Sequence, residues 1–338
     1  MWQKLPSFTI LSGGAISVKA RLGERAAERM MVSAEAMSLP HKAFYVAGIG
    51  AYGIAVRLTP GELWQTLLHA PTLSSLTMTD GGQVLYMGTN QGQVWRSSDR
   101  GWHWSRVDRD LPGGPFLGTI FSPHAKAIGR LTISPRDPAE LYAVLRKRLY
   151  QTANGGGSWR RLTIGPPGLD IVSVAVDDQE PAHIWVGTQF SGLYHSADAG
   201  RTWLAAHEAG LPAPAWVEDI TVSPRDSRTI YVSAMDLSSP TGGPRHPNLY
   251  WSTNGGAHWE HVGQGLPDGL NLFCPTVNSA EPQRMYVADE NAGIYYSRNG
   301  GTLWMQGTGP PEYEAINLPF AYFDTEFTWD RGCGNVYA

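Results

Sequence analysis

The side chains best suited to chemistry in this chain fall into two sets. The first belongs to a motif, Ser/Thr-x-Asp/Asn-x-Gly-x-x-Trp, that occurs at 97–104, 152–159, 196–203, 252–259 and 297–304. Its polar members are Ser97, Asp99, Asn154, Ser196, Asp198, Ser252, Asn254, Ser297 and Asn299. Such groups bind hydroxyls and cations, and they also bond the backbone of tight turns. Each copy carries a Gly that permits positive φ, and a repeat unit needs a fixed hairpin in every copy, so the motif is expected to fasten turns. The second set is scattered: Arg130, Asp170, Glu218, Asp219 and Asn271 before or within alternating segments, the basic run Arg146-Lys147-Arg148, Arg245 and His246, and the aromatics Tyr52 and Phe190. Charges of both signs beside aromatic rings suit a protein, peptide or glycan ligand; the plainer alternative is a solvated rim. Asp170 with Glu218 or Asp219 would supply the two carboxylates of glycoside hydrolysis, although no local motif supports that pairing.

Other chemistries find little support. The ten His form no His-x-x-x-His or Cys-His cluster, so no metal is expected. Cys274 and Cys333 make no disulfide framework. Asn154-Gly155-Gly156-Gly157-Ser158 lacks the Lys of a phosphate loop, and no Gly-x-Ser-x-Gly elbow occurs. No cofactor is expected. The net charge of −4 and pI near 6.2 give no global attraction to nucleic acid. No apolar run is long enough to span a membrane. The N-terminal residues lack a secretory signal pattern, which makes a cytoplasmic, monomeric protein the default expectation, or an extracytoplasmic one if the chain starts late.

The elements that position these residues follow from the repeat. Trp104, Trp159, Trp203, Trp259 and Trp304 are spaced by 55, 44, 56 and 45 residues. A period of that size marks a repeat architecture. Before each motif lies a short Tyr- or Trp-containing segment, such as Gly192-Leu193-Tyr194 or Asn248-Leu249-Tyr250. Before that comes a hydrophobic-aromatic run, such as Leu141-Tyr142-Ala143-Val144 or Ile184-Trp185-Val186-Gly187, and earlier still an alternating segment such as Ile220-Thr221-Val222. The 39 Gly and 24 Pro supply the turns of an all-β chain. Aligned outward from the motif, the unit reads as four strands, with three of them before the motif. A degenerate copy occupies residues 30–64 and keeps Trp64. The tail 316–338 reads as three more strands, and the head Trp2-Gln3-Lys4-Leu5 as the missing outer strand of that last unit; loss of a further motif beyond Ala338 is the alternative. Residues 6–29 form a connection, with a short helix possible at 20–29, and 30–338 carry the repeats of a single domain spanning 1–338.

The motif resembles the Asp-box, or bacterial neuraminidase, repeat of sialidases, sortilin-type receptors, xyloglucanases and the photosystem II assembly factor. The resemblance implies an all-β propeller of four-stranded antiparallel blades, with the motif as the hairpin between strands three and four and its Trp packed between neighbouring strands; counting the tail unit gives seven blades, with closure of the last by the N-terminal strand and loss of a further motif as the two alternatives. The resemblance also implies two unlike faces. Loops between strands one and two share a face with the Asp-boxes; turns between strands two and three share the other with the blade connections and with the long segments 105–128, 204–215, 235–248 and 260–269. The second face is the expected binding surface. The Phe/Tyr-Arg-Ile-Pro element of sialidases is absent, and Ala47 to Gly53, where xyloglucanases carry a catalytic Asp, has no carboxylate. The reading is a non-catalytic scaffold for a protein, peptide or glycan; the alternative is a diverged glycoside hydrolase.

Overall fold

A computed structural model describes residues 32–39, 42–49, 54–57, 65–68, 73–79, 83–89, 91–112, 128–207, 210–238, 248–270, 272–277, 282–289 and 293–306. The expected closing strand 2–5, the segment 20–29, Tyr52, Trp64, Arg245, His246, Asn271, the tail 316–338 and the side chains of both cysteines lie outside the described residues.

The described residues form six four-stranded antiparallel sheets, each built from consecutive strands in spatial order. The first comprises β1 (Val32–Leu39), β2 (Lys42–Ile49), β3 (Ile54–Arg57) and β4 (Gln65–Leu68). The second holds β5 (Leu73–Met78), β6 (Leu85–Thr89), β7 (Val94–Ser97) and β8 (Ser105–Arg106). The third holds β9 (Ile128–Ile133), β10 (Leu141–Leu145), β11 (Arg148–Thr152) and β12 (Arg160–Arg161). The fourth holds β13 (Ile171–Val176), β14 (Ile184–Thr188), β15 (Leu193–Ser196) and β16 (Leu204–Ala205). The fifth holds β17 (Ala215–Ser223), β18 (Asp226–Asp236), β19 (Leu249–Ser252) and β20 (Glu260–His261). The sixth holds β21 (Leu272–Val277), β22 (Met285–Asp289), β23 (Gly293–Ser297) and β24 (Met305–Gln306).

Position within the sheet dictates composition. The second strands β6, β10 and β14 are buried at every residue, which is why they read as continuous apolar runs rather than alternating ones. The fourth strands β8, β12, β16, β20 and β24 are two residues long and exposed; so short an edge offers little to a foreign strand.

Consecutive sheets meet through their first strands: β5 contacts β9, β9 contacts β13, β13 contacts β17 and β17 contacts β21. Small hydroxyls on these inner strands fasten one sheet to the next. Ser75 Oγ accepts the Leu131 N–H at 2.9 Å, Thr132 Oγ1 donates to the Val174 carbonyl at 3.2 Å, and Ser173 Oγ donates to the Val217 carbonyl at 3.0 Å. Thr221 Oγ1 does the same to the Pro275 carbonyl. A buried hydroxyl is tolerated there because it is bonded. The apolar core also lies between sheets. Trp185 and Leu193 of the fourth sheet pack with Val217, Ile230, Val232 and Trp259 of the fifth; Tyr142 and Leu149 of the third pack with Ile171, Val174 and Ile184 of the fourth.

The first strands of sheets two to six each carry a register shift, as at Ile171/Ser173 and Val217/Asp219. A bulge re-aims neighbouring side chains. Burial alternates along β17 from Ala215 to Asp219, as successive strand side chains point to opposite faces, so Glu218 is half-exposed and the adjacent Asp219 buried.

Candidate functional site

On one face the five hairpins between strands three and four share one bonding pattern. Ser97 Oγ donates to Asp99 Oδ1 at 2.8 Å and accepts the Gly101 N–H at 2.8 Å, while Asp99 Oδ1 accepts the His103 N–H at 2.9 Å. The equivalent three bonds occur at Thr152/Asn154, Ser196/Asp198, Ser252/Asn254 and Ser297/Asn299. Asn serves as well as Asp because the amide oxygen accepts the same bonds. Each hairpin also donates a backbone N–H to the loop between strands one and two of its own sheet or to the start of strand two, for example Gly155 to the Ala139 carbonyl at 2.7 Å and Gly255 to the Arg228 carbonyl on β18 at 2.9 Å. The oxygens a cation would need are thus engaged within the turn. Among the described residues no group of three or more His, Cys, Asp or Glu is placed to hold a metal.

The tryptophans differ from the uniform packing expected of them. Trp159, Trp259 and Trp304 are buried. Trp159 and Trp259 donate their indole N–H to the preceding sheet, at the Val107 and Ala206 carbonyls, both at 2.8 Å. Trp104 and Trp203 are half-buried and bond within their own turns, to the Gly101 and Gly200 carbonyls.

The opposite face carries the turns between strands two and three and the starts of the first strands. There the sheets diverge. The third sheet closes β10 to β11 through Arg146 and Lys147, both left-handed with φ of 52° and 59°. Two-residue hairpins with positive φ at both positions favour Asn-Gly, and the same loop elsewhere uses Gly92 and Gly192. A side chain bearing Cβ costs about 1–2 kcal/mol in that region. The turn is held by its surroundings. Lys147 Nζ reaches Asp170 Oδ2 at 2.9 Å and also donates to Gln189 Oε1. Arg148 Nη1 donates to the Leu169 carbonyl at 2.7 Å and to Asp170 Oδ1 at 3.2 Å. The Gln189 N–H donates to the Asp170 carbonyl at 2.8 Å, which brings the β14–β15 turn beside the group. Phe190, next in that turn, is 57% exposed.

Lys147, Arg148, Asp170, Gln189 and Phe190 therefore form one polar patch with an exposed ring. Burial pushes the Asp170 carboxyl up, but the bonds and charge of Lys147 and then Arg148 outweigh it and hold the pKa below the ordinary value. Asp170 stays ionised and accepts hydrogen bonds; a general acid needs the opposite shift.

Arg130 and Asp219, read from the sequence as candidates for ligand contact, are buried. Arg130 on β9 and Asp219 on β17 are both buried and ion-paired, joining the third and fifth sheets past the fourth. Burial lowers the Arg130 pKa, and the charge of Glu218 opposes that shift. An ion pair drawn from 89 residues apart leaves no local trace in sequence. Arg146 and Arg148 are at the described face, as is half-exposed Glu218. Gln189 escaped the sequence reading, since nothing in it marks the Lys147 contact.

No protein-family model matches the chain. It is 26% identical over 281 residues to a probable oligoxyloglucan-reducing end-specific xyloglucanase of Neosartorya fischeri, covering 72% of this chain and 32% of the relative. It is 24% identical over 238 residues to a xyloglucanase of a Paenibacillus species, covering 69% of this chain and 21% of that protein. The chain thus spans a third or less of the length of these curated relatives. Among solved structures, the Niastella koreensis GH74 enzyme superposes with a TM-score of 0.60 at 18% identity, over 88% of this chain and 46% of that one. YCF48 bound to D1 peptide superposes with a TM-score of 0.55 at 13% identity, over 90% of this chain and 87% of that one. The β-propeller domain of Myceliophteria thermophila Cps50 gives a TM-score of 0.55 at 13% identity, with 90% of each chain covered. The fold is a β-propeller of four-stranded antiparallel blades, and the curated relatives are named xyloglucanases.

Proposed function

We propose that this chain is a glycan-directed propeller of xyloglucanase type, which engages a β-glucan chain on the face of its β10–β11 and β14–β15 turns. The observation that carries the reading is the patch of Lys147, Asp170 and Gln189 with the exposed ring of Phe190, in a chain whose curated relatives act, by name, on xyloglucan. Sugars present hydroxyls to fixed polar groups and flat C–H faces to rings; a few placed polar groups beside an aromatic surface answer both. Strain in the Arg146-Lys147 turn supports the same face, since backbone held in a costly region clusters at ligand sites. In this proposal the propeller has seven blades, and the five Asp-box turns are folding staples. Arg146, Arg148, Asp170, Phe190 and Glu218 belong to the ligand face.

The relatives' names favour hydrolysis over a purely passive scaffold. One observation favours holding the glycan without cleaving it: Asp170 and Asp219 are both committed to cations, and canonical hydrolysis needs one carboxyl kept protonated beside another that is ionised. Incubation with tamarind xyloglucan, followed by reducing-end release and by calorimetry with xyloglucan heptasaccharide, separates the two. New reducing ends establish the hydrolase. Binding heat without product establishes the holding role. Absence of both, in a chain that melts cooperatively, refutes the glycan reading.

A further inference from the structure

The charges of this chain are unevenly distributed. Residues 96–161 contain twelve Lys and Arg against five Asp and Glu, leaving fourteen against twenty-five for the rest of a chain with net charge −4. Part of this basic stretch lines a groove between the third and fourth sheets. The groove is walled by Arg148 and Arg161 and by the connection through Pro166 and Pro167, and its floor includes Leu149, Leu162 and Ile171. Register explains why the two arginines meet: Arg161 pairs with Tyr150, two residues beyond Arg148 on the same strand. Side chains at those positions lie on one face of the sheet.

The two guanidiniums are in different states. Arg148 spends one terminal nitrogen on the Lys147 and Leu169 carbonyls and on Asp170. Arg161 is exposed at the edge strand and lines the groove beside Leu162, Thr163 and Ile164. Through Arg148 and Asp170 the groove is continuous with the patch of Lys147, Gln189 and Phe190, so a chain lying on that patch can extend into it.

We propose that this groove is a subsite for an acidic sugar, a uronosyl carboxylate held by Arg161 and Arg148 with the sugar's C–H face on the proline wall. The inference rests on the glycan reading above and narrows its substrate class to a glucan bearing carboxylates. Arg pairs with carboxylates in planar, two-bond geometry. The charge excess also attracts a polyanion over distances of about a Debye length, near 10 Å at 0.1 M salt.

The test compares cellohexaose with the same oligosaccharide oxidised at C6 to the carboxylate, by calorimetry, in 50 mM and 300 mM NaCl. The oxidised form binds more tightly, its advantage shrinks at high salt, and Arg161→Glu cuts the ratio of acidic to neutral affinity by roughly tenfold or more. Arg161→Lys recovers only part of it, because an ammonium lacks the fork. Equal affinity for the two sugars, or a preference that Arg161→Glu leaves intact, overturns the subsite while leaving the neutral-glucan reading standing. Binding of neither sugar overturns both. A poly-glutamate peptide that binds more tightly than the oxidised sugar, through Arg161, overturns the sugar assignment in favour of an acidic protein partner.

Discussion

The two faces of this propeller are made from the same repeated unit, yet they differ in how much they repeat. On the hairpin face the same three bonds recur at Asp99, Asn154, Asp198, Asn254 and Asn299, with Gly at the same position each time. On the other face, the turn equivalent to Arg146-Lys147 is built around Gly92 in the second sheet and Gln189 to Gly192 in the fourth, and β18 extends to Asp236 in the fifth. A feature that every unit needs in order to fold is repeated in every unit. A feature found in one unit, at a conformational cost, answers to something other than folding. On the proposal made above, the hairpin face serves stability and the opposite face recognition.

The largest effects that could break this division come from the interior. Trp259→Ala is expected to destabilise by about 3–5 kcal/mol, as for other buried tryptophans, because the ring is buried against Trp185 and its N–H is bonded to the fourth sheet. Trp203→Ala, at a half-buried site, is expected to cost clearly less. Chemical denaturation of the two variants measures the difference, and equal losses would mean that burial does not distinguish the boxes.

Arg130→Ala is expected to lose about 3–5 kcal/mol, since it strands a buried carboxylate. The double variant Arg130→Met, Asp219→Leu is expected to recover most of that loss. If the double variant retains stability and loses glycan affinity, the pair belongs to the site after all, and the sequence expectation for these two residues is restored.

The next effect is smaller and of opposite sign. Replacing Arg146-Lys147 by Asn-Gly is expected to raise stability by about 1 kcal/mol, through relief of left-handed strain. The lost Lys147–Asp170 pair is half-exposed and offsets little of this gain. Glycan affinity is expected to fall at the same time. A thermal melt with calorimetry on one sample reads both; a variant that is less stable and still binds would reverse the argument from strain.

The smallest effect concerns Asp99. The His103 backbone N–H, then the His103 side chain, lower its pKa to about 2. A carboxylate whose pKa is depressed on folding stabilises the native state above its unfolded value, and that contribution is lost as pH falls toward the folded one. Asp99→Asn is therefore expected to match the parent at pH 7, as Asn154 and Asn254 already serve in sister turns, and to lose less stability between pH 4 and pH 2. A clear loss at pH 7 would show that the carboxylate does more than fasten the turn.

Much of the architecture was legible because it is local. Strand order follows from segments such as Ile184 to Thr188 and Leu193 to Ser196, whose spacing to the next Trp recurs down the chain, and turn chemistry is written within eight consecutive residues. The site was legible only as a region. The face that collects Lys147, Asp170 and Phe190 follows from strand direction, but the burial of Arg130 against Asp219 depends on how the third and fifth sheets are placed past the fourth, which no local segment records. The left-handed Arg146-Lys147 turn was hidden because such a turn favours Asn-Gly and nothing in Arg-Lys signals it; contacts of Lys147 with Asp170 and Gln189 hold it.

The central claim is that recognition belongs to the divergent face. A crystal structure of this chain with xyloglucan heptasaccharide tests it most directly. The account predicts sugar density against Phe190, with hydroxyls on Lys147, Asp170 or Gln189. Density on the face of the hairpins between strands three and four, with the Phe190 turn empty, would contradict it.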